Sequence, residues 1–395
     1  MKLSLCMIVK DEEVALPKCL GSVKDVVDQI IVLDTGSTDK TPDIAKQFGA
    51  EVHHFEWCND FSAARNDALK YVTGDWVLVL DADETLTQQI VPHMREAIES
   101  DLHLLINLVR HEVGAEQSPY SMVSRLFKNH PDVSFSRPYH ALVDDSISAI
   151  LAKEPDWQVG YLPQVAILHE GYQKNAIAQQ NKYAKAQTAM ESFLVNHPDD
   201  PYVCSKLGAL YVETGKIAQG LELLIKGVAS KQASDEILYE LYYHLGIAYS
   251  RLQNPKQAMA HYTAAIKLHI YPMLKLGSYN NLGNLLKAAG DLKYAKAAYE
   301  TALRIDPNFA AGHYNLGMTF KALGLLNEAI ASYQQAIKLN PNYAEAYQNL
   351  GVVLLKLGNV QDSLSAFGKA IVLHEKYNPD EAKKLHKGLR EMKLI

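Results

Sequence analysis

Up to about residue 172 the chain alternates short apolar runs with segments whose apolar residues recur at helical spacing. Leu3 to Val9 is apolar but for Ser4, and such a run predicts a strand buried on both faces. Asp11 follows as an N-cap for a helix carrying Val14, Leu16 and Leu20 on one side. Gln29 to Asp34 predicts the second strand, which ends in the turn Asp34-Thr35-Gly36-Ser37-Thr38-Asp39. Thr41-Pro42-Asp43 then opens a helix that Gly49 closes. Val52 to Phe55 predicts a third strand. A helix from about Phe61 to Tyr71 is broken by Gly74, and Trp76 to Leu80 predicts a fourth strand ending in Asp81-Ala82-Asp83-Glu84. This βαβαβαβ order implies an α/β, Rossmann-like, mainly parallel sheet covered by helices on both faces. Ligands of such sheets sit at the carboxyl ends of the strands, where Asp11, Asp34, Asp81 and Asp83 all fall. Next come a helix from about Thr87 to Ser100, a strand from Leu104 to Arg110, and the segments Ser124 to Asn129 and Phe135 to His140.

Past residue 200 the pattern becomes a repeat. Gly283, Gly317 and Gly351 recur every 34 residues, as do Gly290, Gly324 and Gly358. Leu282, Leu316 and Leu350 keep the same period, as do Tyr299, Tyr333 and Phe367, and Ala302, Ala336 and Ala370. This is the period and residue set of the tetratricopeptide repeat. Looser copies around Gly208 and Gly246 raise the expectation to five repeats over about 201–377, with a capping helix from Asp380 to Met392 and a connecting helix from about Asn175 to Val195. The expected domains are therefore 1–172, a connector at 173–200, and 201–395. Stacked repeats form an all-α superhelix with a concave face. Asn281, Asn315 and Asn349 hold one equivalent position before each Leu-Gly. They resemble the amide ladder of the nucleocytoplasmic O-GlcNAc transferases, which implies capture of an extended peptide, although Asn-Leu-Gly is also common repeat consensus.

Composition sharpens the division. Lys and Arg against Asp and Glu number 14 and 27 over residues 1–172 but 25 and 18 over 173–395, so an acidic half precedes a mildly basic one. The first is no nucleic-acid surface, and the second lacks the clustered cations that phosphate tracking needs. No apolar run reaches the roughly 18 to 20 residues of a spanning helix. The opening, one Lys, a short apolar run and then acids, fits a first strand better than a secretion signal, so a cytoplasmic location without a transmembrane segment is expected. Cys6, Cys19, Cys58 and Cys204 have neither zinc spacing nor dense pairing and are expected to be reduced core thiols.

Alternation along an extended chain would point Asp81 and Asp83 the same way, a geometry suited to one hard divalent cation. Leu5-Cys6-Met7-Ile8-Val9-Lys10-Asp11-Glu12-Glu13, Val32-Leu33-Asp34-Thr35-Gly36-Ser37-Thr38-Asp39, Phe61-Ser62-Ala63-Ala64-Arg65-Asn66 and Gly74-Asp75-Trp76 through Asp83 together resemble family-2 glycosyltransferases. The likeness is to the bacterial branch in which a short GT-A domain precedes tetratricopeptide repeats. It implies that Asp34 reads the nucleotide base with Lys10 and Asp11 at its border, that Arg65 contacts the diphosphate, and that Asp81 and Asp83 carry Mn or Mg. Asp34 could equally cap its turn, and Arg65 could pair with nearby acids. Arg125-Leu126-Phe127, His140 and Ile167-Leu168-His169-Glu170-Gly171-Tyr172 match the family as well, so that His169 could complete the metal shell. Asp81-Ala82-Asp83-Glu84-Thr85 also fits haloacid-dehalogenase-type phosphotransferases, but those carry the motif on their first strand.

Relatives typically have Glu after the His that matches His140, where this chain has Ala141. An inverting transfer needs a base, and Asp144 or Asp145 is the nearest substitute; a strand through Ala141 to Ile147 would favour Asp145. The expected activity is metal-dependent inverting transfer from a nucleotide sugar, with a UDP sugar as the expected donor although these residues do not specify the base or the sugar. The acceptor would be a protein held by the repeats, or the repeats would serve self-association. A scaffold with a weak transferase domain is the alternative.

Overall fold

The computed structural model describes residues 1–115, 117–170 and 176–394, with backbone alone for 176–182. Gly171 and Tyr172 of the last family motif, the expected boundary beside them, and Asn175 lie outside the described residues. The chain divides into two compact units, 1–216 and 217–395.

The apolar runs of the first unit become an eight-stranded sheet ordered β3-β2-β1-β4-β7-β6-β8-β5. Its strands are β1 (Leu3–Val9), β2 (Gln29–Asp34), β3 (Glu51–His54), β4 (Trp76–Val79), β5 (Glu84–Leu86), β6 (His103–Glu112), β7 (Tyr120–Lys128) and β8 (Gln158–His169). Helices α1 (Leu16–Val23), α2 (Thr41–Gln47), α3 (Phe61–Leu69), α4 (Val91–Glu99) and α5 (Asp144–Lys153) cover it, and α6 (Ala176–Asn196) and α7 (Pro201–Glu213) complete the unit. The period of two divides the core. Leu3, Leu5, Met7, Trp76 and Leu78 pack with Leu16, Leu20, Met94 and Ile98 on one side of the sheet, while Cys6, Ile31, Leu33, Val77 and Val79 pack with Ala64, Ala68, Ile147 and Ile150 on the other. Parallel pairing joins β1, β2, β3 and β4, and also β6 with β8, whereas β7 runs antiparallel to β4 and β6, and β5 runs antiparallel to β8.

The expected strand through Ala141 to Ile147 is not present; α5 occupies its second half. Val143, Ile147 and Ile150 repeat at four and three residues and bury one helical face, and Asp144 and Asp145 sit in the first turn, where the helix dipole favours acids. Cys6, Cys19 and Cys204 are buried free thiols, but Cys58 is exposed and so is no core residue.

α7 packs within the first unit. Arg137 bridges Asp145 at 2.6 Å and Asp200, the N-cap of α7, at 2.9 Å, and the Tyr202 hydroxyl donates to the His140 carbonyl at 3.3 Å. Arg137 and His140 both adopt left-handed backbone, φ 75° and 53°, so this loop is held in a conformation that non-glycine residues seldom adopt.

The second unit comprises α8 (Ile217–Ala229), α9 (Asp235–Arg251), α10 (Pro255–Lys267), α11 (Leu276–Ala288), α12 (Leu292–Ile305), α13 (Ala310–Ala322), α14 (Leu326–Leu339), α15 (Ala344–Lys356), α16 (Val360–Tyr377) and α17 (Pro379–Glu391). Its period follows from helix pairing. A Cβ added at Gly317 would lie 2.7 Å from Tyr333 Cε1, and Gly283 and Gly351 stand in the same way under Tyr299 and Phe367, so glycine on one helix admits the aromatic of the next. Gly290, Gly324 and Gly358 end their helices at φ 84°, 78° and 80°, which suits only a residue without a Cβ.

Candidate active site at the carboxyl ends of the strands

β4 ends at Val79, and Asp81 to Glu84 form a turn closed by the Glu84 amide donating to the Asp81 carbonyl at 3.0 Å. The alternation argument for Asp81 and Asp83 therefore does not apply; the turn gives the two carboxylates different neighbours. Asp81 accepts from Arg65 Nη2 at 2.7 Å on one oxygen and from Arg125 Nη2 at 2.8 Å on the other. Asp83 lies 3.5 Å from His169 Nε2, and His169 Nδ1 lies 2.5 Å from Glu112. Arg110 bridges Glu112 at 2.8 Å and Glu84 at 2.9 Å, and Glu84 in turn accepts from the Asp81 amide at 2.8 Å.

A largely buried chain of alternating charge thus runs from Arg65 through Asp81, Arg125, Glu84, Arg110 and Glu112 to His169 and Asp83. Burial disfavours an ionised Asp81, but the adjoining Arg125 and Arg65 outweigh it and hold the carboxyl well below its ordinary range. Burial likewise disfavours the His169 imidazolium, yet hydrogen bonds to Asp83 and Glu112 raise it to about 9. Glu112, against its own burial, is lowered to about 2 by His169 and Arg110.

Arg125 reaches Asp81 because of a β-bulge. Ile106 pairs with Leu126 and Leu108 with Val123, so Ser124 and Arg125 of β7 together oppose Asn107 of β6. Ser124 Oγ stands 2.9 Å from both Asn107 and Asp144. Arg65 is set by α3, whose N-cap Asp60 accepts from the Ser62 and Ala63 amides. The next residue, Asn66, exchanges two hydrogen bonds with the Phe135 backbone at 2.7 and 2.9 Å, and the Arg65 guanidinium lies 5.5 Å from the Phe135 ring centroid.

At the ends of β1 and β2, Asp34 is buried and accepts from the Gly36 and Ser37 amides at 3.3 and 3.2 Å, with His54 Nδ1 at 3.3 Å. Asp11, at φ 52°, accepts from the Thr38 amide at 2.7 Å, and its own amide donates to Ser37 Oγ at 2.9 Å, so the two loops are tied together. Lys10 is exposed beside them.

The two carboxylates near Ala141 differ. Asp145 is engaged by Arg137 and by the Ser136 hydroxyl, both at 2.6 Å. Asp144 faces Ser124; its Oδ2 is buried with no partner among the described residues, and burial raises its pKa. In the repeats, Asn281 donates to the Tyr262 hydroxyl at 3.3 Å, Asn315 to Asn280 at 2.8 Å, and Asn349 to the Tyr314 hydroxyl at 3.2 Å while accepting from Lys321 at 2.6 Å. Sequence reasoning missed Arg110, Glu112, Ser124 and Asn107. Arg125 entered only as a motif match.

Asp83 and His169 place a carboxylate oxygen and an imidazole nitrogen 3.5 Å apart, two donor types that divalent cations accept. Asp81 has both oxygens on guanidinium groups, those of Arg65 and Arg125. Among the described residues no group of three or more His, Cys, Asp or Glu side chains is arranged to hold a metal ion.

This chain belongs to a family that joins a family-2 glycosyltransferase domain to tetratricopeptide repeats. The family described as Glycosyl transferase family 2 matches residues 4–160; TPR repeat matches 283–324 and 319–358, and two further tetratricopeptide families match 239–268 and 344–387. A TPR repeat-containing protein of Synechococcus elongatus is 42% identical over 306 residues, covering 78% of this chain and 76% of that one. The glycosyltransferase SunS of Bacillus subtilis is 29% identical over 199 residues, covering 49% of this chain and 46% of that one, so this match spans less than half of that relative. Among solved structures, YrrB, described as a TPR protein with an unusual peptide-binding site, is 19% identical at a TM-score of 0.41, covering 50% of this chain and 98% of that one.

Proposed function

We propose that the first unit transfers a sugar, with inversion, from a UDP sugar to an acceptor recruited by the repeats. One observation carries this reading: the charge chain is cation-rich at one end, where Arg65 and Arg125 share Asp81, and anion-rich at the other, where Asp83 and Glu112 share His169. A nucleoside diphosphate bound with a divalent ion has this same pairing of charges. The ion, Mn in preference to Mg, would be held by Asp83 and by His169 after its Nε2 proton is displaced, and would supply charge neutralisation of the departing diphosphate. Arg65 stabilises the same developing charge from the other end. Asp34, with Lys10 and Asp11 beside it, borders the base, and its bonds to the Gly36 and Ser37 amides leave its role one of shaping the pocket floor.

For the base, the surroundings favour Asp144. Asp145 would have to break its contacts with Arg137 and Ser136 to accept a proton, whereas Asp144 has an oxygen without a hydrogen-bond partner among the described residues and burial that strengthens its hold on a proton. The weak-enzyme alternative rests on Ala141 together with that engagement of Asp145. The amides of Asn281, Asn315 and Asn349 are spent on neighbouring repeats, so a protein acceptor would have to displace these bonds or bind beside them. No helix of the described residues is long and apolar enough to cross a membrane.

The test is a thermal-shift screen of the full chain against nucleoside diphosphate sugars, with Mn and with chelator. A bound donor at about 100 times its dissociation constant stabilises by about 2.7 kcal/mol. Stabilisation by a UDP sugar only with Mn supports the reading; equal stabilisation in chelator removes the metal from it, and no stabilisation by any donor overturns it.

A further inference from the structure

Arg125 shares the cation-rich end of the charge chain with Arg65, and its surroundings give it a role of its own. Its partners are already provided for: Asp81 has Arg65 at 2.7 Å, and Glu84 has Arg110 at 2.9 Å. Arg125 adds a second guanidinium to Asp81 at 2.8 Å and only a distant approach to Glu84, at 3.9 Å. Its Nη1 is buried without a hydrogen-bond partner among the described residues, an uncommon state for a charged donor. Two guanidinium groups share the one Asp81 carboxylate, with Glu84 the nearest other anion to Arg125. The bulge that carries Ser124 and Arg125 past Asn107 brings this arginine to the strand end from the antiparallel part of the sheet, a different origin from Arg65 on α3.

We propose that Arg125 is a second diphosphate-binding cation, paired with Arg65 across Asp81, its guanidinium keeping a donor, Nη1, that no group among the described residues uses. Asp81 then acts as the anchor that holds the two forks parallel, and the two aspartates of the turn divide their work, Asp81 orienting arginines and Asp83 facing the cation site. A guanidinium can keep one nitrogen on Asp81 while another serves a phosphate, which the single ammonium of a lysine does less well. The proposal rests on the nucleotide-sugar reading above and adds to it the residue that grips the leaving group.

The experiment is calorimetric titration of the full chain with UDP, ADP and GDP, each beside its own nucleoside, in Mn buffer. Arg125→Gln and Arg125→Lys are compared with wild type, and circular dichroism and melting temperature establish that each variant is folded. Arg125→Gln should weaken the bound diphosphate about 10- to 100-fold, with Arg125→Lys recovering part of the loss, while nucleoside affinity stays within about twofold. Equal losses for nucleotide and nucleoside, or no loss in a folded variant, overturn the role of Arg125 while leaving the transferase reading standing. A wild-type chain that binds none of the three diphosphates overturns both.

Discussion

The two units solve opposite problems. In the repeats the packing contacts recur, so a glycine meets an aromatic at Gly283 and Tyr299, again at Gly317 and Tyr333, and again at Gly351 and Phe367. In the first unit the site is assembled once, from α3, the turn after β4, β6, the β7 bulge and the end of β8, and no two of its residues stand in equivalent surroundings. Periodic packing is therefore robust and chemically uniform, whereas the aperiodic end of the sheet gathers four carboxylates, three arginines and a histidine into one connected chain. Substitutions in the first unit should move chemistry more than stability, and those in the second the reverse.

The sharpest way to break that contrast is the base. Asp144→Asn should lower the transfer rate about 100- to 10,000-fold, and Asp145→Asn should leave it within a few fold, in initial rates measured at saturating donor. Inverted results would return the role to Asp145. Next comes Glu112→Gln, which removes the carboxylate that orients His169. Mn affinity, read by electron paramagnetic resonance, should fall about 10- to 100-fold, and the melting temperature should fall with it because Arg110 and His169 lose their shared carboxylate.

In the repeats, Gly317→Ala should cost about 1 to 3 kcal/mol in urea unfolding, because its Cβ would press on Tyr333, and nucleotide binding should be untouched. The smallest effect separates two tyrosines at one repeat position. Tyr299 donates to Asn284 at 2.6 Å, whereas the Tyr333 hydroxyl is buried without a partner among the described residues, since Met318 replaces the asparagine. Tyr299→Phe should cost about 1 kcal/mol and Tyr333→Phe nothing, or should stabilise slightly.

The same contrast governs how far the sequence alone reveals each unit. The strands at 3–9, 29–34 and 76–79 and the repeat helices are legible because burial on one or two faces leaves a period in the sequence. The helix at 144–153 is hidden as long as a base is sought on a strand, although Val143, Ile147 and Ile150 already carry the helical spacing. Asp81 and Asp83 are legible as a pair but not in their separate partners, since a turn follows no alternation. Arg110 and Glu112 lie within a mostly apolar strand, and Arg125 owes its direction to a bulge set by pairing with a strand that precedes it in the chain. Such placements depend on register between strands, which leaves no local mark.

Helix α7 bears on how transfer and recruitment could be separated. Its N-cap Asp200 holds Arg137, and its Tyr202 holds the His140 carbonyl, so the loop carrying two left-handed residues is fastened by the segment in which the sequence places the first repeat. The seam visible in composition near residue 172 is thus not a safe place for recombination. A fusion that exchanged the repeats from residue 201 onward would inherit an intact sheet and an unfastened loop. A workable hybrid would keep residues 1–216 together and exchange only residues 217–395.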